Sequence, residues 1–311
     1  MALAASAVAQ NYPSRPIKII VPFAAGGPTD AVAHIMSDVL KRSLGESVDI
    51  DNVTGRSGSV GVGRVADAAP DGYTLLLGLW STNVINGAVY DLPYDLVKNF
   101  EPVGLLPSNP MLVVSNNAVP ANNLNGLIAW AKASPNPVRT GTAGVGSGTH
   151  VAAVYFEKLT GVRLQFVPYS GTGPALRDLV AGHVDLIVDQ ASNSMQQVRE
   201  GEIRPYAVTA KTRLAAAPDI PTVDEAGLPG LYIDTWYGMW APAGTPREIV
   251  SRVNRAVAAA LADSKVRRHF AYLGLEIPPP EQQTPEALGA LQRAEIAKWW
   301  PLIKAAGIKA N

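Results

Sequence analysis

Apolar positions fall along this chain in short bursts of two alternating kinds. Residues 16–21 (PIKIIV) are a compact β-branched run that predicts a buried strand. Ala31, Val32, Ile35, Met36, Val39 and Leu40 then recur at helical spacing. Thr29 or Asp30 can cap that helix, and Gly45 stops it. Residues 48–53 predict the next strand, 60–69 the next helix, and 73–79 a central strand after the turn Pro70-Asp71-Gly72. The order strand–helix–strand–helix–strand predicts parallel strands joined by right-handed crossovers.

The same order returns in the second half. Strands are expected at 138–141, 164–168 and 184–188, and helices at 151–160 and 175–181. This is an α/β pattern of two similar lobes. Two segments look like passages between them: 102–115, apolar but broken by prolines, and 235–242 (TWYGMWAP). Beyond Pro246, Ile249, Val250, Val253, Val257 and Leu261 mark an amphipathic helix, and 285–300 marks another. With those helices packed on the first lobe, lobe 1 comprises 11–109 and 235–311 and lobe 2 comprises 110–234. The two crossings, near 102–115 and 230–242, then form a hinge.

Composition narrows the function. Apolar residues are 47 % of the 311, enough for a substantial core, and Lys+Arg and Asp+Glu both total 26. A net charge of zero argues against nucleic acid as a partner, which needs a basic surface. The absence of cysteine excludes disulfides, thiolate metal sites and cysteine nucleophiles. No apolar run approaches the ~18 residues of a membrane span. Residues 1–10 (MALAASAVAQ) end their apolar run in Ala7-Val8-Ala9, the small-residue pattern of export-signal cleavage. They read as a signal-peptide remnant cut near Ala9, and so predict an exported, periplasmic protein; the other reading is a plain alanine-rich terminus.

Candidate chemistry sits in glycine-rich loops that follow strands and open helices. VPFAAGGPTD (21–30) and TAGVGSGTH (142–150) occupy the same place in each half. A helix N-terminus offers unpaired amides and a positive dipole end, which suits an anion. Each loop alone is equally a tight turn with a cap. Neither is a nucleotide loop, since GVGSGT carries no lysine and FAAGGPTD lacks the dinucleotide spacing. No serine lies in G-x-S-x-G, and His34, His150, His183 and His269 show no metal-binding spacing. His150 could act as a general base or line a cleft. Asp30 either caps its helix or faces a ligand. Trp80, after the strand, is either core or an aromatic wall, followed by donors from Ser81, Thr82 and Asn83. Tyr169 and Ser170 open a further loop (YSGTGP), and Asp189, Gln190 and Ser192 stand after strand 184–188.

Read together, YPSRPIKIIVPFAAGGPTD, PDGYTLLLG, LPYDLVKNFEPVG, VPYSGTGPAL, PDIPTVDEAGLPG and WAPAGTPREIVSRVN resemble the solute-binding proteins of tripartite tricarboxylate transporters, the Bordetella uptake gene (Bug) family. The resemblance runs from Tyr12 to Ala306. It implies a type II periplasmic-binding-protein fold whose two α/β lobes close on a small carboxylate, with no catalytic residue and no cofactor. Phe23, Ala24, Ala25, Gly26 and Gly27 would hold one carboxylate through backbone amides. Gly146, Ser147, Gly148, Thr149 and His150 would hold the other end. The partners implied are the carboxylate and the membrane permease subunits that receive it; a monomer is expected. The chain departs from the family pattern at DNVTGRSGS, which redirects Arg56, and at Trp80, where a bulky ring would favour a flat diacid such as a phthalate. Other readings are an α/β enzyme with His150 as base, and a sensor subunit presenting the liganded state.

Overall fold

A computed structural model describes residues 12–310, so the segment read as a signal remnant lies outside the described residues. The short apolar runs form the strands they predict: β1 (Ile17–Val21), β2 (Val48–Asn52) and β3 (Thr74–Leu79). Between them run α1 (Pro28–Leu44) and α2 (Ser59–Ala66). β1 pairs in parallel with both β2 and β3. Along β3, Leu75, Leu77 and Leu79 enter one core and Leu76 the other. That alternation, buried on both faces, is what helices on both sides of a parallel sheet produce.

A π-helical turn (Ser81–Ile85) and the short α3 (Asn86–Val89) then lead to β4 (Phe100–Asn116). The second half contains α4 (Leu124–Ala133), β5 (Val138–Thr142), α5 (Gly148–Thr160), β6 (Leu164–Pro168), α6 (Thr172–Val180), β7 (Leu186–Gln190), α7 (Ala191–Arg199) and β8 (Ile203–Val208). β5 is parallel to β6 and to β7. The chain then returns through β9 (Asp234–Pro242) to α8 (Arg247–Ala262), α9 (Ser264–Tyr272) and α10 (Pro285–Ala305). Val253, Val257 and Leu261 of α8 share a core with β1 and α1.

The strand order is β2-β1-β3-β9-β4-β7-β5-β6, with β8 also on β4. β4 belongs to both halves. From Phe100 to Pro110 it pairs antiparallel with β9; from Met111 to Ser115 it pairs with β7. Its register against β9 slips between Pro102 and Gly104 and again between Leu105 and Ser108. Pro102, Pro107 and Pro110 remove ladder donors there, which accounts for the irregular pairing. Two α/β lobes joined by two strand crossings result, the type II periplasmic-binding-protein fold.

Several extents differ from the sequence pattern. α1 starts at Pro28 with Gly27 as its N-cap, so Thr29 and Asp30 lie in the first turn. α6 starts at Thr172, because Pro174 is tolerated where no helical donor is needed. β7 is shifted two residues on, so Asp189 and Gln190 end the strand instead of following it. α10 continues past 300 to Ala305. α4, α7, β8 and α9 lie outside the elements that the sequence pattern predicts.

Candidate functional site

The two glycine loops are built alike. Gly26 and Gly146 each take φ +77°, a left-handed turn that side-chain-bearing residues rarely adopt. In each loop the amide of that glycine is held by the side chain four residues on. Gly26 N–H donates to Asp30 Oδ2 at 2.8 Å, and Gly146 N–H donates to His150 Nδ1 at 3.1 Å. Asn52 braces the first loop further, donating from Nδ2 to the Phe23 carbonyl and to Asp30 Oδ1, both at 3.0 Å. In the second loop Thr149 Oγ1 accepts from Ala143 N–H at 2.9 Å, and Ser147 Oγ caps α5 by accepting from His150 N–H at 3.2 Å. Burial pushes the His150 pKa down, so the ring is neutral at pH 7 with its proton on Nε2.

Both loops open onto one cavity of about 180 Å³. Phe23, Ala24, Ala25, Gly26, Gly27 and Thr29 line it from the first lobe, with Ser81. Ser147, Gly148, Thr149, Ser170 and Gln190 line it from the second. These positions follow the carboxyl ends of β1, β3, β5 and β6 or, for Gln190, end β7, where open α/β sheets bind ligands. Among the described residues no Asp or Glu lines the cavity, and Arg177 is the one formally charged lining residue. Among the described residues no cluster of His, Asp and Glu could hold a metal ion.

Other sequence candidates lie outside this lining. Asp30, Gly146 and His150 shape the loops from behind. With Nδ1 engaged by a backbone amide, His150 is a brace and not a base poised over the cavity. Trp80 is corrected most sharply. It is wholly buried beneath Gly148, edge-on to Trp299 with ring centroids 5.0 Å apart, and forms no cavity wall. Thr82 turns back to the Leu79 carbonyl and to Asn83 Oδ1, and Asn83 packs against Gly78, so neither supplies a donor to the cavity. Tyr169 donates its hydroxyl to Asp178 at 2.6 Å. Ser192 exchanges two hydrogen bonds with Asn109. Asp189 is buried, accepts from Asn193 and Ser194, and its pKa is pushed up to about 6 by burial.

The sequence pattern does not single out Pro28, Leu79, Ala143, Gly171, Thr172, Gly173, Pro174 and Arg177 in the lining, nor Asn52 behind it. The signal for Arg177 was present: it lies four residues after Gly173, on the same helical face. A second omission concerns the contact between lobes. Ser57 Oγ and Tyr90 OH both donate to the Val145 carbonyl, at 2.9 and 2.6 Å.

Comparison with known proteins identifies the family of the chain. The family model described as "Tripartite tricarboxylate transporter family receptor" matches residues 32–308. The chain belongs to that family. Among solved structures of similar proteins, the periplasmic binding protein BugD is 38 % identical, with a TM-score of 0.91 over 96 % of this chain and 100 % of BugD. MatC from Rhodopseudomonas palustris, solved with bound malate, is 38 % identical with a TM-score of 0.89, covering 94 % and 100 % of the two chains. R. palustris Rpa4515, solved with adipate, is 35 % identical with a TM-score of 0.90, covering 96 % and 100 %. As a member of the tripartite tricarboxylate transporter receptor family, the chain shares its overall fold with these proteins. No helix among the described residues is long and apolar enough to cross a membrane.

Proposed function

We propose that this receptor is a periplasmic solute-binding protein that captures a small carboxylate between its lobes and delivers it to the permease subunits of a tripartite transporter. One observation carries the reading: two braced loops of the same design face one cavity in which, among the described residues, no acidic side chain forms the lining. An anion placed there meets first-turn amides of α1 and α5 without a repelling charge. The lobes are taken as 11–109 with 235–311, and 110–234. Ligand contacts are assigned to Phe23–Gly27, Thr29, Ser81, Ser147–Thr149, Ser170 and Gln190. Trp80 is not among them, so the sequence argument for a flat aromatic diacid loses its basis. An aliphatic diacid is favoured over terephthalate, in keeping with the malate and adipate named for two similar proteins.

Micromolar binding corresponds to about 8 kcal/mol. Helix dipoles at roughly 0.3–1 kcal/mol each supply a small part. Charge-assisted amide hydrogen bonds and the desolvation that follows lobe closure must supply most of it. The test is a thermal-shift screen of malate, adipate, terephthalate and monocarboxylates, followed by calorimetry. Saturable binding, with the ligand recovered unchanged after long incubation, is expected. Absence of any carboxylate binding, or turnover of the ligand, overturns the reading.

A further inference from the structure

Arg177 lies on α6, whose first turn (Thr172, Gly173, Pro174) lines the cavity. β6, the strand that feeds this helix, is the outermost strand of its sheet, one place beyond β5 and its glycine loop. The α6 side of the cavity is therefore offset by one strand, about 5 Å, from the second glycine loop, and lies across the cavity from the first. Arg177 is exposed, yet its guanidinium is turned back along the helix: Nη1 comes within 4.0 Å of the point a Cβ on Gly173 would occupy. That direction carries a cation toward the positive end of its own helix, an unfavourable placement by itself. No carboxylate among the described residues forms an ion pair with it; the adjacent Asp178 is engaged by the Tyr169 hydroxyl and by His183.

We propose that Arg177 is a specificity-determining residue that receives the second, distal carboxylate of the ligand, making this receptor selective for diacids. The inference rests on the proposed function and deepens it. An anion at this edge meets both the guanidinium and the start of α6, which relieves the like-charge placement. A monocarboxylate of equal length leaves Arg177 with water only, and gains nothing from it. The guanidinium is partly solvated, so its contribution to binding is of the order of a charged hydrogen bond and not of a buried ion pair.

The test compares adipate with hexanoate, which differ only in the distal carboxylate, by calorimetry on the full chain. Wild type is expected to prefer adipate. Arg177→Gln is expected to weaken adipate about tenfold or more while leaving hexanoate within about twofold. Arg177→Lys should recover part of the preference, since the charge remains and the planar fork is lost. Equal losses for both acids, or an unaltered adipate affinity in Arg177→Gln, overturn this assignment while the carboxylate-binding reading stands. Failure of wild type to bind either acid or any other carboxylate overturns both.

Discussion

Gly27 carries two demands that one substitution can separate. It is the N-cap of α1, its φ is −89°, and an added Cβ would meet the Ala24 carbonyl oxygen only at ordinary contact distance, 3.4 Å. Aspartate is among the best N-caps, so Gly27→Asp should leave the ligand-free protein as stable as wild type or slightly more so. The same carboxylate stands in the anion cradle, and ligand affinity should fall at least about a hundredfold, whereas Gly27→Ser should bind nearly normally. Paired melting and calorimetry read the two effects apart; retained affinity in the aspartate variant would remove the first loop from the site. Asp189 makes a different prediction. Burial raises its pKa from 3.8 to about 6 in the folded chain. Between those values the native state holds more protons than the unfolded one, so its contribution is full below pH ~4 and is lost as pH rises through ~6. The difference is roughly 3 kcal/mol. Asp189→Asn should flatten that part of the stability profile, measured as urea unfolding at pH 4.5 and 7; an unchanged profile would show that Asp189 is not what titrates.

At the scale of elements, the duplicated strand–loop–helix was legible because it rests on local signals. Short apolar runs mark β1, β3 and β6, and glycine runs mark both loops. What side chains do within the loops was not legible. Whether residue 30 or 150 faces a ligand or its own backbone depends on the left-handed turn at Gly26 and Gly146, and sequence names the glycine without the direction it imposes. Asn52 was invisible for another reason: it reaches the first loop only through the β1–β2 pairing, Val21 opposite Asn52. Trp80 was misread because its cover, Trp299, comes from α10 at the far end of the chain. The brace itself can be tested. His150→Ala removes the acceptor of the Gly146 amide and should weaken ligand about fivefold, the worth of one neutral hydrogen bond. In wild type the neutral ring is the acceptor, and burial holds its pKa below 6.5. The brace is intact above that pH and fails as pH falls through the lowered value. His150→Ala should therefore lose the acid-side decline in affinity that wild type shows; an identical pH profile in the two proteins would refute the role.

At the scale of the whole molecule, β4 and β9 join the lobes, and the Val145 carbonyl is one of the points where they touch. Val145 belongs to the second lobe's glycine loop, while Ser57 and Tyr90 belong to the first lobe. The Tyr90 hydroxyl oxygen also lies 3.0 Å from Ser57 Oγ, and Asn86 Nδ2 donates to the Ser57 carbonyl at 2.9 Å. Ser57 sits at φ +50°, a conformation that costs energy in a residue with a side chain and is kept here by those bonds. These donors reach Val145 only when the lobes are together. Their loss penalises the closed state and leaves the open one untouched. Val145 is 41 % exposed, so water can replace part of the lost bonding. The double variant Ser57→Ala/Tyr90→Phe should therefore weaken ligand about tenfold, while urea unfolding of the ligand-free protein changes by less than about 0.5 kcal/mol. Small-angle scattering at a fixed, near-saturating ligand concentration for wild type should show a larger mean radius in the variant, restored by more ligand. A ligand shifts an equilibrium only by its differential affinity for the two states, so raising its concentration must recover the compact form. Unaltered affinity and radius would mean that closure is governed by the ligand's own bridging contacts and not by this junction.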